Sequence, residues 1–565
     1  MEAEMKLAES YWAADNSEKM LDLTLGDLLR QVASEVPDRT ALVEGTPDPA
    51  TRRRWTYREF LSAAEQVAQS LLGRFAPGEH VAVWAPNCAE WILLQHGASL
   101  AGLVLVTVNP AYLAEELEHV LKASKVRGIF FTDVYRSNNM KAILESVRPR
   151  LPELREAVSF SDWGRFIQEG KSDVELPLVS PSDMVQIQFT SGTTGLPKGA
   201  CLHHRGIINA SRFLALRAGF PDGGVWVNAM PLFHVGGCAV SEIGTLAQRG
   251  TFVLMTAFDA AAMLEIFESE RGNITLVVPT MLIAMLDHPD RQRRDLSSLR
   301  AVMSGATAVP AALVRRATQT LGCKFTMLFG QTELNGVITQ THLDDTPEDQ
   351  AETVGRPLPR MEVKIADPQT GDVLPLDTPG EICARGYQTM KGYFEMPAES
   401  SATLRDDGWL HTGDLGSMDQ RGYVRITGRL KDMIIRGGEN IYPREIEEIL
   451  FEHPGVSMAS VVGMPDQKWG EVVAAVIRAA SPQDPPTVME LHAYCRSRLA
   501  AYKTPSVWFF INDFPMTASG KIRKHILRDD LLKSGIKGFV KDESNTNRSS
   551  SGQSVQDPGG IRHPE

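Results

Sequence analysis

The run Thr190-Ser-Gly-Thr-Thr-Gly-Leu-Pro-Lys-Gly199 gathers residue types suited to holding a polyanion. Its three glycines, Gly192 and Gly195 among them, let the backbone approach a phosphate closely, and their N–H groups can converge as an anion nest. The hydroxyls of Thr190, Ser191, Thr193 and Thr194 add donors, and Lys198 adds one positive charge. Composition alone would equally describe a flexible turn; the strand-like MVQIQF directly before it and the lysine favour phosphate binding. The order is not that of a P-loop, because Lys198 is followed by Gly199 rather than by Ser or Thr.

Further along, SGAT (304–307), FGQTE (329–333), HTGD (411–414), TGRLKD (427–432), RGGENIYPREIE (436–447) and TASGKIRK (517–524) follow in order. With TSGTTGLPKG they resemble, in the same sequence, the motifs of the acyl-adenylate-forming superfamily: acyl-CoA synthetases, adenylation domains of peptide synthetases, and luciferases. The matches run through about 60% of the chain from residue 190 onward, and the part before residue 190 fits the same family.

The resemblance implies that a carboxylate attacks the α-phosphorus of ATP, so two anions must be brought together and the developing charge neutralised. It assigns Mg2+ to Glu333 and the α-phosphate to Thr332. Phe329 would pack on adenine where many relatives carry Tyr, next to the strand end Gly305, Ala306 and Thr307. Asp414 would accept hydrogen bonds from the ribose hydroxyls, with Arg429 nearby on the ribose–phosphate side. Lys521, by itself an ordinary surface lysine, becomes the mobile catalytic lysine in its PMTASGKI setting. Lys431 would mark the hinge, and Gly437 and Gly438 would leave a slot for the pantetheine arm of CoA. His234, in MPLFHVGG, reads as a core histidine by its neighbours and as the gate of the acyl pocket by resemblance. His203 and His204 read as helix-start or surface residues, and Asp466–Glu471 as structural.

These residues need a layered scaffold. Leu25, Leu28, Leu29, Val32, Ala33 and Val36 repeat at helical spacing and Pro37 stops them; Thr56 and Glu59 make a capping box before a second helix. The segments 80–87 and 103–110, TFVLM, ITLVVP and LRAVMSG read as buried strands, so helix–strand alternation runs past residue 300. After residue 360 short β-segments with Pro/Gly/Asp turns imply a small barrel or meander. From about residue 430 comes a compact mixed unit. The expected fold is α/β: a large N-terminal domain of layered α/β subdomains with a small β-barrel-like subdomain (1–428), a small mobile α+β C-terminal domain (431–540), and a disordered polar tail (541–565).

Across 565 residues the net charge is −12, which disfavours a nucleic-acid or anionic-membrane partner. Six dispersed cysteines, with no CxxC and no Cys/His ligand spacing, argue for a reducing compartment, and the cytoplasm is the expected location. The apolar stretch from Trp91 to Val108 is interrupted by Gln95, His96, Gly97, Ser99 and Gly102 and reads as a buried helix and strand rather than a membrane span.

The expected partners are therefore small molecules: a carboxylic acid, ATP and CoA. The acyl pocket, expected from 234–238, 280–285, 304–307 and 329–337, offers Val, Leu, Met and Gly and no Arg or Lys for a second carboxylate, which implies an apolar acid. VNPAY (108–112) and DMIIRGGENIYPREIE (432–447) most resemble the medium-chain fatty acyl-CoA synthetase branch. Aryl or cinnamoyl acids, a carrier protein as acceptor, and a catalytically inactive nucleotide-binding scaffold are the alternatives; the scaffold is disfavoured by the presence of Lys521, Glu333 and Asp414.

Overall fold

The computed structural model describes residues 6–170, 174–190, 197–305, 309, 311–516 and 522–533, and the backbone of 539–540. It divides into two compact units, 1–412 with 416–426, and 413–415 with 427 onward.

In the first unit, buried strands His80–Trp84 and Val104–Val108 lie parallel at the centre of a six-stranded sheet. Gly128–Phe131 and Glu156–Ser159 extend it on one side, and Met184–Thr190 and Lys198–His203 on the other. All neighbours are parallel except the last pair, a hairpin in which Thr190 faces Lys198. A nine-stranded sheet carries the parallel strands Thr40–Glu44, Thr251–Leu254, Val225–Asn228, Ile274–Leu276, Ala301–Gly305 and Lys324–Phe329. The near-continuous Val/Leu/Ile runs of these strands fit burial on both faces.

One core joins the inner faces of both sheets (Val81, Val83 and Leu105 of one, Leu42, Trp226 and Phe252 of the other) to the helices Leu25–Glu35, Tyr57–Leu72 and Ala89–Leu100. Ala89–Leu100 is buried all round apart from Glu90, which explains its lack of a polar face. Gly97 makes that fit possible: a Cβ there would lie 2.4 Å from Val67. The outer faces are covered separately, by Leu117 and Leu144 on the six-stranded sheet and by Met263, Phe267 and Val314 on the other. Both capping signals act as read. Thr56 caps Tyr57–Leu72 with Glu59 bonding back, and Leu25–Glu35 ends two residues before Pro37.

A third sheet orders Tyr11–Trp12, Met361–Ala366, Gly380–Gly386, Leu410–Met418 and Val424–Arg429, and is the β-rich subdomain expected after residue 360. The second unit is built on the long hairpin Val456–Asp466 and Gly470–Ala479. Val507–Phe510 adds a parallel neighbour, and Ile434–Arg436 with Glu439–Ile441 a short hairpin. Helices Pro443–Phe451 and Val488–Arg496 bury Ile446, Leu450, Leu491 and Cys495 against Trp508 and Ile477. Pro443 occupies the first helical position, where its missing N–H costs nothing. No helix among the described residues is long and apolar enough to cross a membrane.

Candidate active site

The candidate residues of the first unit stand at the carboxyl ends of strands, where open α/β sheets leave crevices for ligands. Met184–Thr190 ends on Thr190, Ala301–Gly305 on Gly305 and Lys324–Phe329 on Phe329. The close spacing of the last two requires glycine, since a Cβ on Gly305 would lie 2.4 Å from the Leu328 carbonyl oxygen. Beyond Phe329 the chain folds sharply. A Cβ on Gly330 would lie 2.0 Å from the Gly336 carbonyl oxygen. Thr332–Leu334 then makes one 3-10 turn, closed by Asn335 in the left-handed conformation at φ 54°. Asn tolerates that conformation better than most residues, and its Nδ2 donates to the Gln388 carbonyl at 2.7 Å.

This turn presents Glu333 toward the hairpin. Tyr393 Oη donates to Glu333 Oε1 at 2.8 Å, and Thr190 Oγ1 reaches the same oxygen at 3.4 Å. Lys198 Nζ lies over the Tyr393 ring, 5.2 Å from its centroid. Burial and the neighbouring Glu333 carboxyl hold the Tyr393 phenol well above its ordinary pKa, so it remains a donor. Thr190, Lys198 and Glu333 are thus brought together, Glu333 four residues beyond Phe329 at the end of its strand. Ser191, Gly192, Thr193, Thr194, Gly195, Ala306, Thr307 and Lys521 lie outside the described residues, as does the tail from 541.

His234 occupies a tight loop: its Nδ1 accepts from the Gly236 N–H at 3.0 Å, and its carbonyl accepts from Gly237 and Cys238. The loop opens a π-helical turn, Gly236–Ser241, a form frequent at functional sites. A Cβ on Gly336 would face Val235 and Val240, and one on Gly236 would face His234 Nδ1 first and then Leu276 and Met230. Segments expected to wall an acyl pocket therefore converge on apolar neighbours. Of Thr280–Met285, Leu282 and Met285 instead pack fully into the core beneath the nine-stranded sheet.

In the second unit Arg429 Nε donates to Asp414 Oδ1 at 3.0 Å, with the Asp414 side chain almost wholly buried. Lys431, in the short turn Leu430–Asp432, has its pKa lowered by burial and by the charge of Arg429. Gly437 and Gly438 both take positive φ, 61° and 92°. A Cβ on Gly437 would lie 2.7 Å from the Trp469 ring, whereas one on Gly438 would meet nothing within 4 Å. The Gly437 N–H donates to the Trp469 carbonyl and Arg436 stacks on the indole, so the Asp466–Glu471 segment holds the glycine loop in shape.

Two groupings escaped the sequence reading. Tyr393 stands 60 residues beyond Glu333, and no spacing rule links them; only an aromatic beside Gly392 was there to notice. Glu381 and Cys383 share one face of a strand with His411 on another. His411 Nδ1 pairs with Glu381 Oε2 at 2.7 Å, and burial pushes the Cys383 thiol up to about 12. His203 and His204 do start a helix, but His204 is buried, with Nδ1 accepting from the Leu25 N–H.

Comparison with known proteins agrees with this geometry. Residues 29–394 match the family of AMP-binding enzymes, and residues 445–521 match the AMP-binding enzyme C-terminal domain. The chain belongs to the AMP-binding enzyme family, and its class of activity is AMP-forming carboxylate–CoA ligation. It is 35% identical over 563 residues to the mitochondrial medium-chain acyl-CoA ligase ACSF2 of Danio rerio, covering 93% of this chain and 91% of that protein. The human ACSF2 is 34% identical over 543 residues, covering 90% and 87%. Among solved structures, ATP-bound MatB from Rhodopseudomonas palustris superposes with TM-score 0.82 at 27% identity, over 90% of this chain and 99% of that one. The o-succinylbenzoate CoA synthetase MenE of Bacillus subtilis, bound to its acyl-adenylate, gives 0.80 at 27% identity, over 92% and 100%.

Proposed function

We propose that this chain activates a medium-chain fatty acid with ATP, forming an enzyme-bound acyl-adenylate, and then transfers the acyl group to CoA. In the first half-reaction a carboxylate oxygen attacks the α-phosphorus and pyrophosphate leaves. In the second, the CoA thiol attacks the acyl carbonyl and AMP leaves. The observation that carries the reading is the meeting of Thr190, Lys198 and Glu333, with Glu333 four residues beyond the strand end at Phe329, in a chain of this family.

Each residue has a stated task. The backbone between Thr190 and Lys198 cradles the β- and γ-phosphates, and Lys198 offsets their charge. Thr332 binds the α-phosphate, Phe329 stacks on adenine, and Asp414 accepts from the ribose hydroxyls with Arg429 beside it. Glu333 suits Mg2+: Oε1 takes both hydrogen bonds and Oε2 takes none from the described residues, which leaves a hard oxygen ligand. When bound, Mg2+ supplies charge neutralisation at the phosphates. Lys521 bridges the carboxylate and the α-phosphate during adenylation. His234 gates the acyl pocket, Lys431 is the hinge, and the open side of Gly438 admits pantetheine.

The apolar surroundings of Gly336 and the medium-chain relatives support a fatty acid. Six free thiols suit a cytoplasmic setting. The test is thioester formation over acids from acetate to palmitate, with benzoate and cinnamate. A maximum near octanoate is expected; a maximum on benzoate or cinnamate would replace the fatty acid by an aryl acid, and pyrophosphate exchange without CoA thioester would replace CoA by a carrier protein.

A further inference from the structure

The Glu333 carboxyl is held from one side: both its donors, Tyr393 Oη and Thr190 Oγ1, converge on Oε1. Tyr393 is the nearer and is itself fixed from several directions. Its N–H donates to Ser400 Oγ at 2.8 Å, and the next residue's N–H donates to the Gly199 carbonyl, laying 393 against Ala200 beside the Thr190–Lys198 hairpin. A phenol has a single proton to give, and here it goes to Glu333.

We infer that Tyr393 is a positioning residue for the divalent cation that accompanies ATP: its hydroxyl pins Glu333 Oε1, leaving Oε2 as the oxygen available to the metal, while its ring seats Lys198 on the same side. This rests on the assignment of Glu333 as metal ligand proposed above. The physical basis is general: a ligating carboxylate swings about its side-chain torsions unless a second group holds its other oxygen, and losing such outer partners costs roughly 10- to 100-fold in metal affinity. Because Tyr393 also lies against the strand that leaves the phosphate loop, one side chain ties the cation ligand to the phosphate cradle.

The test is calorimetric titration of the full-length protein with ATP, once with Mn2+ and once in EDTA. Tyr393→Phe is expected to weaken Mn2+–ATP binding about tenfold while leaving metal-free ATP binding within about twofold. Ser400→Ala, which removes the hydroxyl that accepts from the Tyr393 N–H, is expected to shift the same quantity in the same direction by a few-fold, and serves should the first variant fail to fold. A purely structural tyrosine would weaken both titrations alike, and that result would overturn the inference. Glu333→Gln separates the two claims: if it abolishes the Mn2+-dependent gain while Tyr393→Phe keeps it, the role of Tyr393 falls alone, and if Glu333→Gln keeps the gain, the metal assignment falls and this inference with it.

Discussion

Burial decides the charge of single residues in the large unit, and His204 is the clearest case. It is enclosed between the start of its own helix and Leu25, and desolvation lowers its pKa to about 4; His342 is lowered to about 4 by burial and by the charges of Arg217 and Arg356. Both are neutral in the folded protein at pH values where an unfolded histidine, titrating near 6.5, takes up a proton. The unfolded state therefore binds more protons between about pH 6.5 and 4, and stability is lost as pH falls through that window, while it is fully present above it. The slope reaches roughly 1.4 kcal/mol per pH unit for each such group. Chemical denaturation across pH 7 to 4.5 is expected to show this loss, and His204→Asn to flatten part of it. A wild-type profile flat down to pH 4.5 would contradict it. His204 was visible in sequence only as a helix start; its enclosure involves Leu25, 179 residues away.

At the scale of elements, most of the framework could be read from local pattern. The strands at 80–84, 104–108, 251–254, 274–276 and 301–305, the Thr56 capping box and the Pro443 helix start follow from periodicity and caps, which are local properties. What local pattern hides is pairing at a distance. Tyr11–Trp12 joins a strand near residue 364, and the segment around Tyr393 lies along Lys198–His203. The strand Met184–Thr190 also points Gln186 and Gln188 inward, where they link through Gln95 to Glu242, with His96 on the other Glu242 oxygen. That buried chain of amides anchors the π-helical turn beside His234 to the strand entering the phosphate loop, and in sequence each member looks like an interruption of an apolar run.

The glycine loop of the second unit yields an element-scale prediction. Gly438 has open space where Gly437 has Trp469, so an alanine at 438 meets only backbone strain, about 1 kcal/mol. Gly438→Ala is expected to leave the melting temperature within a few degrees and adenylate formation intact, while slowing thioester formation at least tenfold, as followed by quench-flow with a supplied acyl-adenylate. Equal rates for variant and wild type in that step would remove pantetheine from this loop.

At the scale of the whole molecule, the two compact units divide the candidate groups between them. Thr190, Lys198, Glu333 and Phe329 belong to the first; Asp414, Arg429, Lys431, Gly437 and Gly438 belong to the second. The second unit carries a candidate group for each half-step, Lys521 for adenylation and Gly438 for thioester formation, so the two steps can be tested separately. Lys521→Ala is expected to lower adenylate formation by at least about 10^3-fold, the scale of losing a preorganised charge partner, yet to spare acyl transfer from supplied acyl-adenylate. Loss of both half-reactions to the same extent would contradict that division of labour. The central claim, an acyl-adenylate intermediate, is tested most directly by following carboxylate oxygen. Octanoate labelled with 18O in both carboxyl oxygens is incubated with the enzyme, ATP, Mg2+ and CoA, and the products are read by mass spectrometry. One 18O atom in AMP, none in pyrophosphate, and octanoyl-CoA retaining the other is the predicted result; label in a phosphate released alongside ADP, or unlabelled AMP beside octanoyl-CoA, would contradict it.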